Sequence, residues 1–278
     1  MQNLVIIDNH MHLYTYLKFK ALELFKKEGG THAFIVSLPS TYYRLKPKKG
    51  EDFGEIFELH IKLVKKANKI VKCFAVLSVH PAEITILGQK YGYEKASEIM
   101  KDALDLAAKY VENGDAVAIK SGRPHYSVSK KVWKLSNDVL KHAFEVAKDV
   151  NCAVQLHTES FTKEGMLEIA EMAEKVGLSK EKVVKHFAPP LVKEFSEIGL
   201  FPSVIASGDN HLIAAKQGTR FMLETDYIDD PKRPGAVLGP KTVPKKIKEL
   251  LRAGYDENFI WKICGENAER IYGVEISV

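Results

Sequence analysis

The chain has 278 residues, 45% of them hydrophobic and 28% charged, the balance of a globular protein with a sizeable core and no disordered bias. Its 41 basic and 36 acidic residues leave a formal charge of +5, which suits an anionic substrate but is too small to mark a nucleic-acid binder by itself. No uncharged apolar run approaches the ~18 residues of a membrane helix and the N-terminus has no secretory-signal pattern, so a cytoplasmic protein without a membrane partner is expected.

The first apolar run, "LVII" at 4–7, leads into "DNHMHL" at 8–13. Side chains two apart on a strand leave the same face, so His10 and His12 would stand side by side, as a metal grip or as a polar strand end. Further short β-branched runs follow at 33–38, 73–79, 116–120, 152–157, 183–186, 203–207 and 220–226. Between them lie amphipathic stretches, the longest at 53–68, 94–113 and 130–150, whose apolar positions recur at three and four. Cys73, Cys152 and Cys264 are far apart and suggest neither a disulfide framework nor a thiolate zinc site. Eight strands alternating with helices, with no Gly-rich dinucleotide turn and no P-loop, fit a closed (β/α)8 TIM barrel in the α/β class. No linker divides the chain, so one domain over 1–278 is expected. The Pro-rich stretch at 229–244 would be a loop at the barrel mouth.

Polar residues with metal or acid–base chemistry recur at the ends of these strands. His10 and His12 belong to the first, His80 to the third, Lys120 to the fourth, His157 to the fifth, His186 to the sixth and Asp226 to the eighth. The C-terminal ends of barrel strands converge on one mouth, so the set predicts a metal site there. Imidazole with carboxylate suits zinc first, with manganese or magnesium as alternatives, and two clusters around a bridging group would hold two ions about 3.5 to 4 Å apart. His60 and His142 fall within helical patterns and His32 at the opposite end of its strand, so these read as structural.

The motifs "DNHMHL" (8–13), "VHP" (79–81), "LHTE" (156–159), "KHFAP" (185–189), "LETDY" (223–227) and "NAERIYG" (267–273) together resemble the TatD family of the amidohydrolase superfamily. The resemblance implies a metal-dependent hydrolase with deoxyribonuclease activity. It implies that His10, His12 and Asp226 bind one metal, that His157 and His186 bind a second, and that Asp226 is the general base. His80 would lie beside the substrate phosphate, and Glu224, two residues before Asp226, would orient a ligand without touching metal.

One position departs from that family. Its usual bridging glutamate after the fourth strand is replaced in "AIKSGRPHY" by Lys120, and an ammonium cannot ligate a cation. Urease-like and phosphotriesterase-like branches of the superfamily carry a lysine there, N-carboxylated by carbon dioxide to an anion that bridges two metals. N-carboxylation of Lys120 is therefore expected, the alternative being a lysine paired with Asp226 or Glu224 in a one-metal or metal-free pocket. Arg123 and His125 follow, as contacts to an anionic substrate or, for Arg123, as a rim salt bridge. The reading that follows is hydrolysis of a phosphodiester, in a nucleic acid or a small molecule. The alternatives are an amide- or lactone-cleaving enzyme with a carboxylated lysine, or a metal-binding barrel without catalysis.

Overall fold

The computed structural model describes residues 4–13, 19–230 and 238–277. Strands β1 (Ile7–His12), β2 (His32–Val36), β3 (Lys72–Ser78), β4 (Ala118–Gly122), β5 (Ala153–His157), β6 (Val183–Ala188) and β7 (Phe201–Ile205) pair in parallel, each with the next in sequence. Beyond them β8 (Met222–Glu224) pairs with β7, while β9 (Tyr227–Ile228) pairs with β1. The two ends of the sheet are thus pieces of one strand separated by Thr225 and Asp226, and the sheet closes into a TIM barrel.

Helices α1 (Lys20–Lys27), α2 (Phe53–Ala67), α3 (Glu83–Tyr91), α4 (Tyr93–Glu112) and α5 (Lys130–Asp149) fill the first four crossovers. After β5 come α6 (Lys163–Val176), α7 (Val192–Ile198) and α8 (Asn210–Ala215), and after β9 come α9 (Thr242–Arg252), α10 (Glu257–Trp261) and α11 (Asn267–Tyr272). The helical stretches expected at 53–68, 94–113 and 130–150 form within a residue or two of those limits. On α2, Phe53, Ile56, Phe57, His60, Ile61 and Val64 make the buried stripe that the spacing requires. Ser129 caps α5 by accepting from Val132 N, and Thr162 caps α6 by accepting from Gly165 N. No described helix is long and apolar enough to cross a membrane.

Strand alternation sorts the core into two layers. Ala33, Ile35, Cys73, Ala75, Leu77, Val154 and Leu156 pack with helix residues such as Phe57, Leu104 and Phe144. The intervening Phe34, Val36, Phe74, Val76, Ala118, Ala153 and Val184 form a second cluster with Phe201 and with Ile271 and Tyr272 of α11. Continuing along that second face toward the strand C-termini, the next positions are Ser78, Lys120, Gln155, His157 and His186. The inside of the barrel therefore changes from apolar to polar along its length, which places the chemistry at the mouth.

Two strands differ from expectation. The first begins at Ile7 and runs on through His12, because pairing with β2 at Met11–Ile35 and with β9 at Met11–Tyr227 keeps the backbone extended past the histidines. The eighth is interrupted at Asp226, whose φ of 48° is left-handed and cannot continue a strand. Residues 231–237 of the Pro-rich stretch lie outside the described residues.

Candidate metal centre

His10 and His12 bring their Nε2 atoms within 3.3 Å of each other. The outer nitrogens fix the tautomers: His12 Nδ1 lies 2.7 Å from the Val36 carbonyl, which can only accept, so it carries the proton. His10 Nδ1 lies 2.7 Å from Gln155 Oε1. That amide cannot be reversed, because its Nε2 donates to the Asn9 carbonyl and to Tyr272 Oη. Both Nε2 lone pairs therefore face inward. Asp226 Oδ1 stands 3.8 Å from one and 3.7 Å from the other.

Lys120 is buried at the middle of β4, and its Nζ donates to His10 Nε2 at 3.0 Å. Burial pulls its pKa down to about 8 against the opposing pull of Asp226 and Glu224. The remaining imidazoles form a chain across the mouth. His186 stacks on His10 with centroids 3.9 Å apart, His157 lies 5.3 Å from His186, and His80 lies 4.6 Å from His157. Burial, reinforced by Lys120 and by neighbouring rings, holds His10, His157 and His186 well below the ordinary imidazole range. They are neutral, the form that ligates metal.

Glu224 backs His186. Its Oε1 accepts from His186 Nδ1 at 2.7 Å and from Phe187 N at 2.9 Å, and its Oε2 accepts from Ser203 Oγ. Although Glu224 stands close enough to His10 and His186 to count as a ligand, these partners occupy both oxygens. It is placed to orient the His186 ring. His157 offers Nε2 to His125 Nδ1 at 3.0 Å, while its buried Nδ1 has no partner. His80 Nδ1 accepts from Ala82 N at 3.1 Å, so the neutral ring has its proton on Nε2, available to an oxyanion in the mouth.

Arg123 is the expected residue that the structure sets apart. It is fully buried and donates to Thr158, Glu159, Asn137 and Glu168, with Trp133 packed on its guanidinium. Its donors join β4 to α5 and α6 and leave none for a substrate, which is the salt-bridge use of the two considered. His125 does reach the mouth.

The mouth is a cavity of about 900 Å³ lined by His12, His80, Lys120, His125, His157, His186 and Asp226, with an apolar rim that includes Phe161, Phe187 and Leu191. Sequence reasoning passed over Gln155 and Lys185. The signal for both was a polar residue inside an otherwise apolar strand run, in "CAVQLH" and "VVKH". Ser203 and the Asp8–Thr225 pair carried no such signal. Asp8 opens the first motif, and its carboxylate accepts from Thr225 N and Oγ1, tying β1 to the broken eighth strand.

The converging lone pairs of His10 and His12 and the Asp226 carboxylate, whose ligand atoms all lie within 4.8 Å of one another, fit a divalent cation. An uncharacterized protein of Methanocaldococcus jannaschii is 40% identical over 284 residues, covering 100% of this chain and 99% of that one. In fold, the chain resembles a phosphotriesterase homology protein from Escherichia coli, solved with phosphate in its active site. The TM-score is 0.64 at 11% identity, over 98% of this chain and 100% of that one. An organophosphorus hydrolase from Deinococcus radiodurans gives a TM-score of 0.61 at 12% identity over 97% and 93%. The family described as TatD related DNase matches residues 7–273, and the chain belongs to it, a family of metal-dependent hydrolases.

Proposed function

We propose that the chain is a single-domain phosphodiesterase whose mouth holds two divalent cations, zinc first among them. His10, His12 and Asp226 would hold one, His157 and His186 the other, and Lys120 as its N-carboxylate would lie between them. The observation that carries this is the pair of fixed tautomers, which turn two imidazole lone pairs toward one point beside a carboxylate. Cations there would supply Lewis acidity and lower the pKa of a water.

The chain's own residues then divide the work. Asp226 takes the proton of the attacking water, and Glu224 holds the His186 ring through Nδ1. The Nε2–H of His80 points a donor at the phosphoryl oxygen. At Lys120 the neutral amine attacks carbon dioxide, an N–C bond forms, one N–H proton leaves to solvent, and the product is an anion where two cations need one. The buried, lowered-pKa amine beside His10 supports that step. The buried free thiols of Cys73, Cys152 and Cys264 suit the reducing cytoplasm.

The E. coli protein's bound phosphate supports the phosphoester reading, and Lys120 supports a second one, cleavage of lactones or amides. Activity of the metal-reconstituted protein on bis(4-nitrophenyl) phosphate but not on lactones or amides favours the first, and the reverse favours the second. The double variant His10→Ala/His12→Ala should lose one zinc by elemental analysis and most of the turnover. Full metal content in that variant would refute the site.

A further inference from the structure

Lys185 is a second buried lysine at the mouth, and the proposed chemistry does not use it. By alternation with His186 its Cα stands on the helix-facing side of β6, yet its Nζ reaches the carbonyl of His186 at 2.6 Å and the residue lines the cavity. The side chain is 3% exposed. An ammonium has three N–H donors, and among the described residues this one makes a single hydrogen bond and no ion pair. Glu224, Glu159 and Asp226 act on the charge from a distance, but two N–H donors are left without acceptors at a cavity wall, which is costly unless a ligand meets them.

Two residues along, Phe187 presents the complementary feature. Its φ of 53° is left-handed, a costly state for an aromatic residue, and its ring is 50% exposed on the same cavity wall. The turn lets His186 Nδ1 and the Phe187 amide share Glu224 Oε1, and it leaves the ring standing over the mouth beside Phe161, Pro189, Pro190 and Leu191. The charged groups in the described lining are Lys120 and Lys185 against Glu159 and Asp226. Among the described lining residues the two lysines stand apart on β4 and β6 and the rim is apolar, which suits a compact anion with an apolar group attached.

We infer that Lys185 and Phe187, one on each side of His186, are the substrate anchor: Lys185 binds an anionic oxygen and Phe187 stacks on a planar apolar group joined to it. The substrate is then a phosphodiester bearing one aromatic ring next to the phosphorus. This rests on the phosphodiesterase reading, but the anchor can be measured without turnover.

The test is calorimetric binding of phenylphosphonate and of inorganic phosphate to the zinc-reconstituted full chain. Lys185→Met should weaken both about tenfold or more, with zinc content unchanged, and Lys185→Arg should keep most of the affinity. Phe187→Ala should weaken phenylphosphonate about tenfold and leave phosphate unchanged, as loss of a stacking partner requires. Equal affinities for wild type and Lys185→Met, or a Phe187→Ala loss shared equally by both ligands, overturns the anchor. So does a single-stranded oligonucleotide that binds more tightly than phenylphosphonate and ignores both substitutions. If no phosphodiester is turned over but the binding pattern holds, the anchor stands and the phosphodiesterase reading fails.

Discussion

Asp226 sits in a left-handed backbone conformation, its carboxylate close to two imidazoles whose protons point elsewhere. Asp226→Asn keeps the shape and removes the basic oxygen, so zinc-loaded protein should fold normally, by circular dichroism, and turn over at least a hundredfold slower, the order general-base loss gives. Lys120→Glu supplies the usual family ligand and should remain active without added bicarbonate, whereas reconstitution of the wild type should be faster with it. Gln155→Leu removes the acceptor that fixes the His10 tautomer and should weaken zinc binding about 10- to 100-fold in a chelator competition. The proposed metal ligands are legible in the sequence because imidazoles and a carboxylate at strand ends are rare enough to stand out. Gln155 and Ser203 are not, since their roles rest on contacts with residues more than twenty positions away, Asn9, Tyr272 and Glu224. Lys185 was hidden differently: it starts on the side of the strand that the period of two assigns to the helices.

Among the elements, the junction of β4 and β5 has least room. A Cβ at Gly122 would run into the carbonyl of His157, and the next amide, Arg123 N, donates to that same oxygen at 3.0 Å. Gly122→Ala should push apart the strand ends that carry Lys120 and His157, costing about 1–3 kcal/mol in urea unfolding and lowering zinc stoichiometry. The α2–β2 contact gives a pH effect. His60 is buried and bonded to the Ile35 carbonyl, and burial lowers its pKa from the ordinary 6.5 to about 4. The unfolded chain therefore takes up a proton that the folded chain refuses. Its stabilising contribution is complete above pH 6.5 and is lost as pH falls toward 4, about 3 kcal/mol over that window. His60→Gln should flatten that part of the stability profile. The long helices were legible from their apolar period. The split of the eighth strand was not, because "RFMLETDY" reads as one continuous β run and only the backbone at Asp226 breaks it.

For the whole molecule, the proposed metal ligands come from β1, β4, β5, β6 and the break between β8 and β9, so a bound cation draws most of the ring together. Chelation should lower the midpoint of thermal unfolding by about 5 °C or more, from the roughly 2.7 kcal/mol that a ligand at a hundred times its Kd contributes. Metal return should restore the midpoint, and an unchanged midpoint after verified metal removal would count against a structural contribution.

The broken eighth strand has a consequence in time. During synthesis the ribosome releases His10, His12, Lys120, His157 and His186 long before Asp226, and Tyr272 later still. Until Thr225 meets Asp8 the ring is open, and until Tyr272 reaches Gln155 the His10 ring is not fully braced. A nascent chain therefore has most of its imidazoles in hand before the proposed base, and the onset of activity waits on two later events, closure at Thr225 and then the brace from Tyr272.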